Sequence, residues 1–81
     1  MAEVSDVPAT VFGVIEKEFG LPAGTVTRET VAADIDGWDS LRHATLLILV
    51  ERRFKFEFRG QDVADLENVG DLIDAVEARL G

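Results

Sequence analysis

The sequence predicts an all-α protein: a small four-helix bundle of three main helices plus one short helix, with a long loop between helices one and two. Three observations predict it. Apolar residues recur with helical periodicity in three separate segments. The chain has 81 residues, 47% of them hydrophobic, which allows one domain over residues 1–81 with a real but small core. The single alternating stretch, Phe54, Phe56 and Phe58, has no second stretch to pair with as a sheet.

The first helix is expected at about 7–19, where Val11, Phe12, Ile15 and Phe19 form one stripe. Asp6 or Ser5 can cap it, Pro8 suits its first turn, and Gly20 can end it. The second helix is expected at about 40–54, with Leu46, Leu47, Val50 and Phe54 inward. Asp39 just ahead can accept hydrogen bonds from the first turn, and its charge favours the helix dipole. The last helix has the cleanest stripe: Val69, Leu72, Ile73, Val76 and Leu80, with Asn68 as cap, Asp71 in the first turn and Gly81 at the end. Between them, Gln61–Leu66 reads as one short turn of helix, and 54–58 as a helix end running into an extended connector.

Residues 20–39 form the long connection. Pro22, Gly24 and Gly37 break it, yet Leu21, Val26, Val31, Ile35 and Trp38 are spaced along it. Polar linkers do not carry five such side chains, so the loop should pack across the bundle.

Composition excludes several functions. Without cysteine there is no disulfide, thiolate metal site or protein thiol nucleophile. The longest aliphatic run, Leu46–Val50, is far short of the roughly 20 residues of a membrane span, and no secretory leader pattern follows Met1. A cytoplasmic monomer without membrane or nucleic-acid partners is the expectation. The net charge of −8 opposes binding to phosphate backbones. That charge is uneven: residues 40–59 carry Arg42, Arg52, Arg53, Lys55 and Arg59 against Glu51 and Glu57, a local +3 in an otherwise strongly acidic chain.

Two catalytic constellations can be weighed and set aside. Asp34, Asp36 and Asp39 surround Gly37 like part of a calcium loop. An EF-hand from Asp34 needs a glycine at position 39 and a glutamate at position 45, where the chain has Asp39 and Thr45. Aligning the glycine instead puts Ala32 first and His43 last. Asp39, Ser40 and His43 supply triad residue types, but a serine starting a helix with histidine one turn later lacks a shielded pocket and an oxyanion hole. No catalytic or metal residues are expected, and the chain does not read as an enzyme.

Ser40 itself remains. It follows Gly37-Trp38-Asp39 where a long loop enters a helix, so its hydroxyl should be open to a modifying enzyme. A capping serine is the plain alternative, weakened because Asp39 already supplies a cap.

With this, the chain resembles the acyl carrier protein family and its peptidyl carrier relatives. The resemblance rests on Asp39-Ser40-Leu41, the family's modification motif, and on the order helix, long loop, motif, helix, short helix, helix. It covers nearly the whole chain. It implies that Ser40, flanked by Asp39 and Leu41, carries covalent 4′-phosphopantetheine installed from coenzyme A by a phosphopantetheinyl transferase. An acyl or aminoacyl group would ride on the arm as a thioester, passed from a loading enzyme to a downstream synthase or transferase. The reactive sulfur would then come from the cofactor, consistent with a chain that has no cysteine.

The resemblance also makes the helix after Ser40 the partner-recognition face, with Leu41, Arg42, Thr45, Ile48, Arg52 and Arg53 as its expected contacts. Fatty-acid-synthesis carriers are typically acidic along this helix, whereas this one bears Arg42, His43, Arg52 and Arg53. Together with Trp38, that points to a discrete carrier of a specialised pathway handling polyketide, nonribosomal peptide or other small acyl units. The alternative from another class is an unmodified helical protein–protein interaction module.

Overall fold

The computed structural model describes residues 6–80. Three α-helices run in the order α1 (Val7–Phe19), α2 (Ser40–Phe54) and α3 (Val69–Leu80), with 3₁₀ turns at Ala32–Asp34 and Gly60–Asp62. No strand occurs among the described residues.

The helix boundaries follow from local hydrogen bonding. The Asp6 carboxylate accepts from the Ala9 N–H at 3.3 Å, and Pro8 occupies the first turn. Gly20, at φ +68°, closes α1 in the left-handed region that glycine enters without Cβ strain. Asp39 Oδ1 accepts from the Arg42 N–H at 2.8 Å and starts α2; Lys55, at φ 61°, ends it by donating its N–H to the Glu51 carbonyl. Asn68 Oδ1 accepts from the Asp71 N–H at 2.9 Å at the start of α3. Ser5 and Gly81, the other expected boundary residues, lie outside the described residues.

Helix α1 packs against both α2 and α3. The core joins Val11 and Ile15 of α1, Leu46 and Val50 of α2, and Val69, Leu72, Ile73 and Val76 of α3. Val26 and Ile35 of the long loop are buried with them, and Leu21 and Trp38 pack against the cluster half-buried. The loop therefore supplies core. Val31 is half-buried but is not packed on this cluster. Leu80, expected on the α3 stripe, is 43% exposed, because the helix has by then run past the end of the core.

Backbone pairing fixes the loop to α3. The Val69 N–H donates to the Thr30 carbonyl at 2.9 Å and the Gly70 N–H to the Arg28 carbonyl at 2.8 Å. These first-turn donors have no partner within the helix, so the loop carbonyls satisfy them. Arg28 also pairs with Asp74 at 3.0 Å, and that hydrogen bond and charge hold its guanidinium above its ordinary pKa.

The short element differs from expectation in extent. Gln61–Leu66 was expected to make the short turn; the helical residues are Gly60–Asp62 alone, a single 3₁₀ turn. Asp62 Oδ2 accepts from the Arg59 N–H at 2.8 Å and closes the turn on itself, and the Val63 N–H ends it on the Gly60 carbonyl. The connector before it, residues 56–59, is neither helix nor strand. Glu51 Oε2 accepts from the Phe58 N–H at 2.7 Å, and the Phe56 and Phe58 rings meet edge-on at 4.7 Å.

Candidate functional site

Ser40 is the first residue of α2, exposed, and reached from a loop whose last turn is tightly specified. Ile35 is buried; its carbonyl accepts from the Trp38 N–H at 3.3 Å, and the Gly37 carbonyl accepts from the Asp39 N–H at 3.1 Å. Gly37 itself sits at φ +89°, where a side chain would be strained. The buried residue and the glycine turn thus set where Asp39 and Ser40 emerge. Since Asp39 caps the helix, the Ser40 hydroxyl is released from that task, and it makes no side-chain hydrogen bond among the described residues.

Phe19, at the end of α1, holds the opposite side of this junction. Its ring stacks on Trp38 with centroids 5.3 Å apart, and the Arg42 guanidinium lies 5.6 Å from its centroid. Arg42 also pairs with Glu18 Oε2 at 3.1 Å and donates to the Glu18 carbonyl at 3.3 Å. Trp38 Nε1 donates to His43 Nδ1 at 3.2 Å. His43 is thereby engaged with the loop, not with Ser40, and a triad has no geometric basis. Among the described residues no three of His, Cys, Asp and Glu converge to hold a metal ion. Asp34 instead accepts from the Val31 N–H at 3.1 Å, as a local turn cap.

The six expected partner contacts divide into two groups. Leu41, Thr45, Ile48 and Arg52 fall at i, i+4, i+7 and i+11, one outward stripe of α2. Leu41 is 75% and Ile48 49% exposed, so the stripe begins as an apolar ridge beside Ser40 and ends in a cation. Arg42 and Arg53 lie off that ridge, on the side facing α1. Arg42 is committed to Glu18 and Phe19, while Arg53 lines recesses together with Val14 and Lys17 of α1.

A recess of about 50 Å³ lies under the loop, lined in part by Trp38, His43, Leu66, Val69 and Leu72. It has room for a few water-sized groups and none for an extended acyl chain.

Sequence reasoning passed over two functional supports. Glu16 is only 8% exposed, and its Oε2 accepts from the Gly24 N–H at 2.9 Å and the Val26 N–H at 3.1 Å. A carboxylate standing at i+4 from Phe12 on the inward side of α1 was the available sign. The Phe19–Trp38–His43 stack had no such sign, because it joins residues from three different elements.

No family model matches the sequence. Individual relatives do. The chain is 31% identical over 71 residues to the acyl carrier protein of Chlamydia caviae, covering 88% of this chain and 92% of that one. It is 28% identical to the acyl carrier protein of Thermotoga maritima over the full length of both. Among solved structures, it is similar to the solution structure of holo acyl carrier protein from Geobacter metallireducens. There the TM-score is 0.78 and the identity 38%, over 88% of this chain and 82% of that one. The chain belongs to the acyl carrier protein family.

Proposed function

We propose that this protein is a discrete acyl carrier of a specialised biosynthetic pathway, modified at Ser40. Family membership brings 4′-phosphopantetheine, and Ser40 is its attachment point. The observation that carries the assignment is the junction: an exposed serine at the first position of α2, its capping role taken by Asp39 at 2.8 Å. The residues fit the group. A phosphodiester on Ser40 would sit at a helix N-terminus, where backbone N–H groups and the helix dipole favour negative charge. The arm supplies the thiol that holds cargo as a thioester. The chain's own part is to present that arm and to be recognised. A phosphopantetheinyl transferase, a loading enzyme and a downstream synthase or transferase are its partners.

The specialised reading rests on charge. A partner built to grip an acidic helix would meet Arg42, Arg52 and Arg53 here, and mismatched charge disfavours association. The apolar ridge of Leu41 and Ile48 gives partners a contact beside the arm, with Arg52 at its far end.

Intact mass after incubation with coenzyme A and a broad-specificity transferase tests the assignment. One phosphopantetheine addition is expected on the native chain and none on Ser40→Ala. The variant should keep its helicity, because the Asp39 cap does not involve Ser40. Mass gain persisting in the variant moves the site elsewhere, and no gain on the native chain leaves an unmodified interaction module.

A further inference from the structure

Two cations of the +3 segment, Arg52 and Arg53, meet Lys17 of α1 at a shaped surface once α1 and α2 are packed. Val14 and Leu49, both half-buried, floor a recess of about 470 Å³ between these helices, rimmed by Lys17, Arg52 and Arg53. A second recess of about 380 Å³ adjoins it, sharing Val14, Lys17 and Arg53. Lys17 comes from the last turn of α1, and both arginines from the last turn of α2. Glu18 also lines the larger recess, and there the Arg42 guanidinium at 3.1 Å offsets its charge. The result is a concave, positively rimmed, apolar-floored groove on a chain of net charge −8.

We infer that this α1–α2 groove docks an acidic segment of a partner protein, one that alternates carboxylates with short apolar side chains. The carboxylates pair with Lys17, Arg52 and Arg53, and the apolar side chains meet Val14 and Leu49. Charge complementarity selects this occupant. Extended polyanions and anionic membranes present negative charge over a wide area, which the rest of this acidic chain repels. A short segment meets only the positive island. The groove lies on the α1 side of α2, about 100° around the helix from the Leu41–Ile48 ridge. A partner can therefore hold it while the modified serine, Leu41 and Ile48 stay accessible, Arg52 being shared between the groove and the far end of the ridge. The inference rests on the carrier reading only in supposing visits from partner enzymes.

The test is an NMR titration of the full ¹⁵N-labelled chain with a synthetic amphipathic peptide carrying glutamate and leucine at helical spacing. A lysine-for-glutamate version and anionic lipid vesicles serve as comparisons. Shifts should concentrate on Val14, Lys17, Leu49, Arg52 and Arg53 with the acidic peptide alone, and affinity should fall at least about tenfold from low to high salt. The variant Lys17→Glu, with native helicity confirmed by circular dichroism, should lose most of the binding and keep its loading by transferase and coenzyme A. Absence of shifts, equal shifts with the lysine peptide, shifts spread over Arg28, Arg59 and Arg79, or preferential capture by vesicles would each overturn the inference. Loading at Ser40 is scored separately, so failure of the carrier reading and failure of the groove are told apart.

Discussion

Trp38 Nε1 donates to Nδ1 of His43 across 3.2 Å, joining the last turn of the long loop to the first turn and a half of α2. Because Nδ1 is the acceptor, a neutral His43 carries its proton on Nε2. The indole also stacks on Phe19 at 5.3 Å, so one side chain ties the end of α1, the loop and the start of α2 around Ser40. The position of Ser40 is thus set by packing behind it.

Removing that tie should be measurable in steps. Trp38→Phe keeps a ring for Phe19 and loses the donor, a cost of about 1 kcal/mol. Trp38→Ala loses both. Because Trp38 is half-buried, its cost should fall below the about 3–5 kcal/mol of a fully buried tryptophan, near 2–3 kcal/mol. Urea denaturation followed by circular dichroism reads both. Equal midpoints for Trp38→Ala and the native chain would mean that the other loop contacts, Val26, Ile35 and the Glu16 bonds among them, hold the loop without Trp38.

Glu16 is the second tie, holding the beginning of the same loop. Glu16→Ala strands the Gly24 and Val26 N–H groups, of which Val26 is buried, and should destabilise by about 2–3 kcal/mol. Glu16→Gln retains an acceptor and should cost about 1 kcal/mol. Hydrogen exchange gives the sharper reading: the Val26 amide should lose protection in Glu16→Ala more than the α3 amides do. Uniform loss across the chain would make Glu16 a general core residue and not a loop anchor.

These two ties show what the sequence carried and what it did not. Helix bounds at Val7, Phe19, Ser40, Phe54 and Val69 were readable because caps and apolar spacing are local properties. The loop-to-helix position of Ser40 was readable for the same reason, because Asp39 ahead of it is a local cap. The burial of Val26 and Ile35 was foreseeable from composition alone. What escaped was contact between elements: Arg42 was placed on a partner face by its position in α2, but Glu18 and Phe19, more than twenty residues earlier, capture it. Spacing along one helix says which residues share a stripe. It does not say what stands opposite.

The approach of the loop to α3 makes a signed prediction at two helical glycines. A Cβ at Gly70 would meet the Arg28 carbonyl oxygen at 3.1 Å and Asn68 Oδ1 at 3.2 Å; at Gly13 it would meet nothing within 4 Å. Alanine gains up to about 1 kcal/mol over glycine inside a helix when space allows. Gly13→Ala should therefore raise the melting temperature. Gly70→Ala should lower it, because crowding in a packed site costs about 1–3 kcal/mol and the N–H bond to Arg28 is disturbed with it. Two stabilised variants would mean that the loop yields easily at Arg28.

The basic residues of α2 make the last prediction, because the structure gives them unequal tasks. Arg42 is joined to Glu18 by a partly exposed ion pair and lies over the Phe19 ring; Arg52 has neither contact. Exposed pairs contribute about 0.2–1 kcal/mol and exposed cation–π contacts about 0.5–1 kcal/mol, so Arg42→Ala should cost near 1 kcal/mol. Arg52→Ala should cost almost nothing in stability. Function should show the reverse order. Arg52 ends the outward ridge that starts at Leu41, so its loss should slow delivery to the cognate partner, most at low salt where steering is strongest. A cycle of Arg42→Ala, Glu18→Ala and the double variant isolates the folding term, and loading rates at two ionic strengths isolate the recognition term. Equal stability losses at Arg42 and Arg52 would show that the Glu18 pair contributes nothing in solution. Loading indifferent to Arg52 at both ionic strengths would remove it from the partner face and leave the ridge purely apolar.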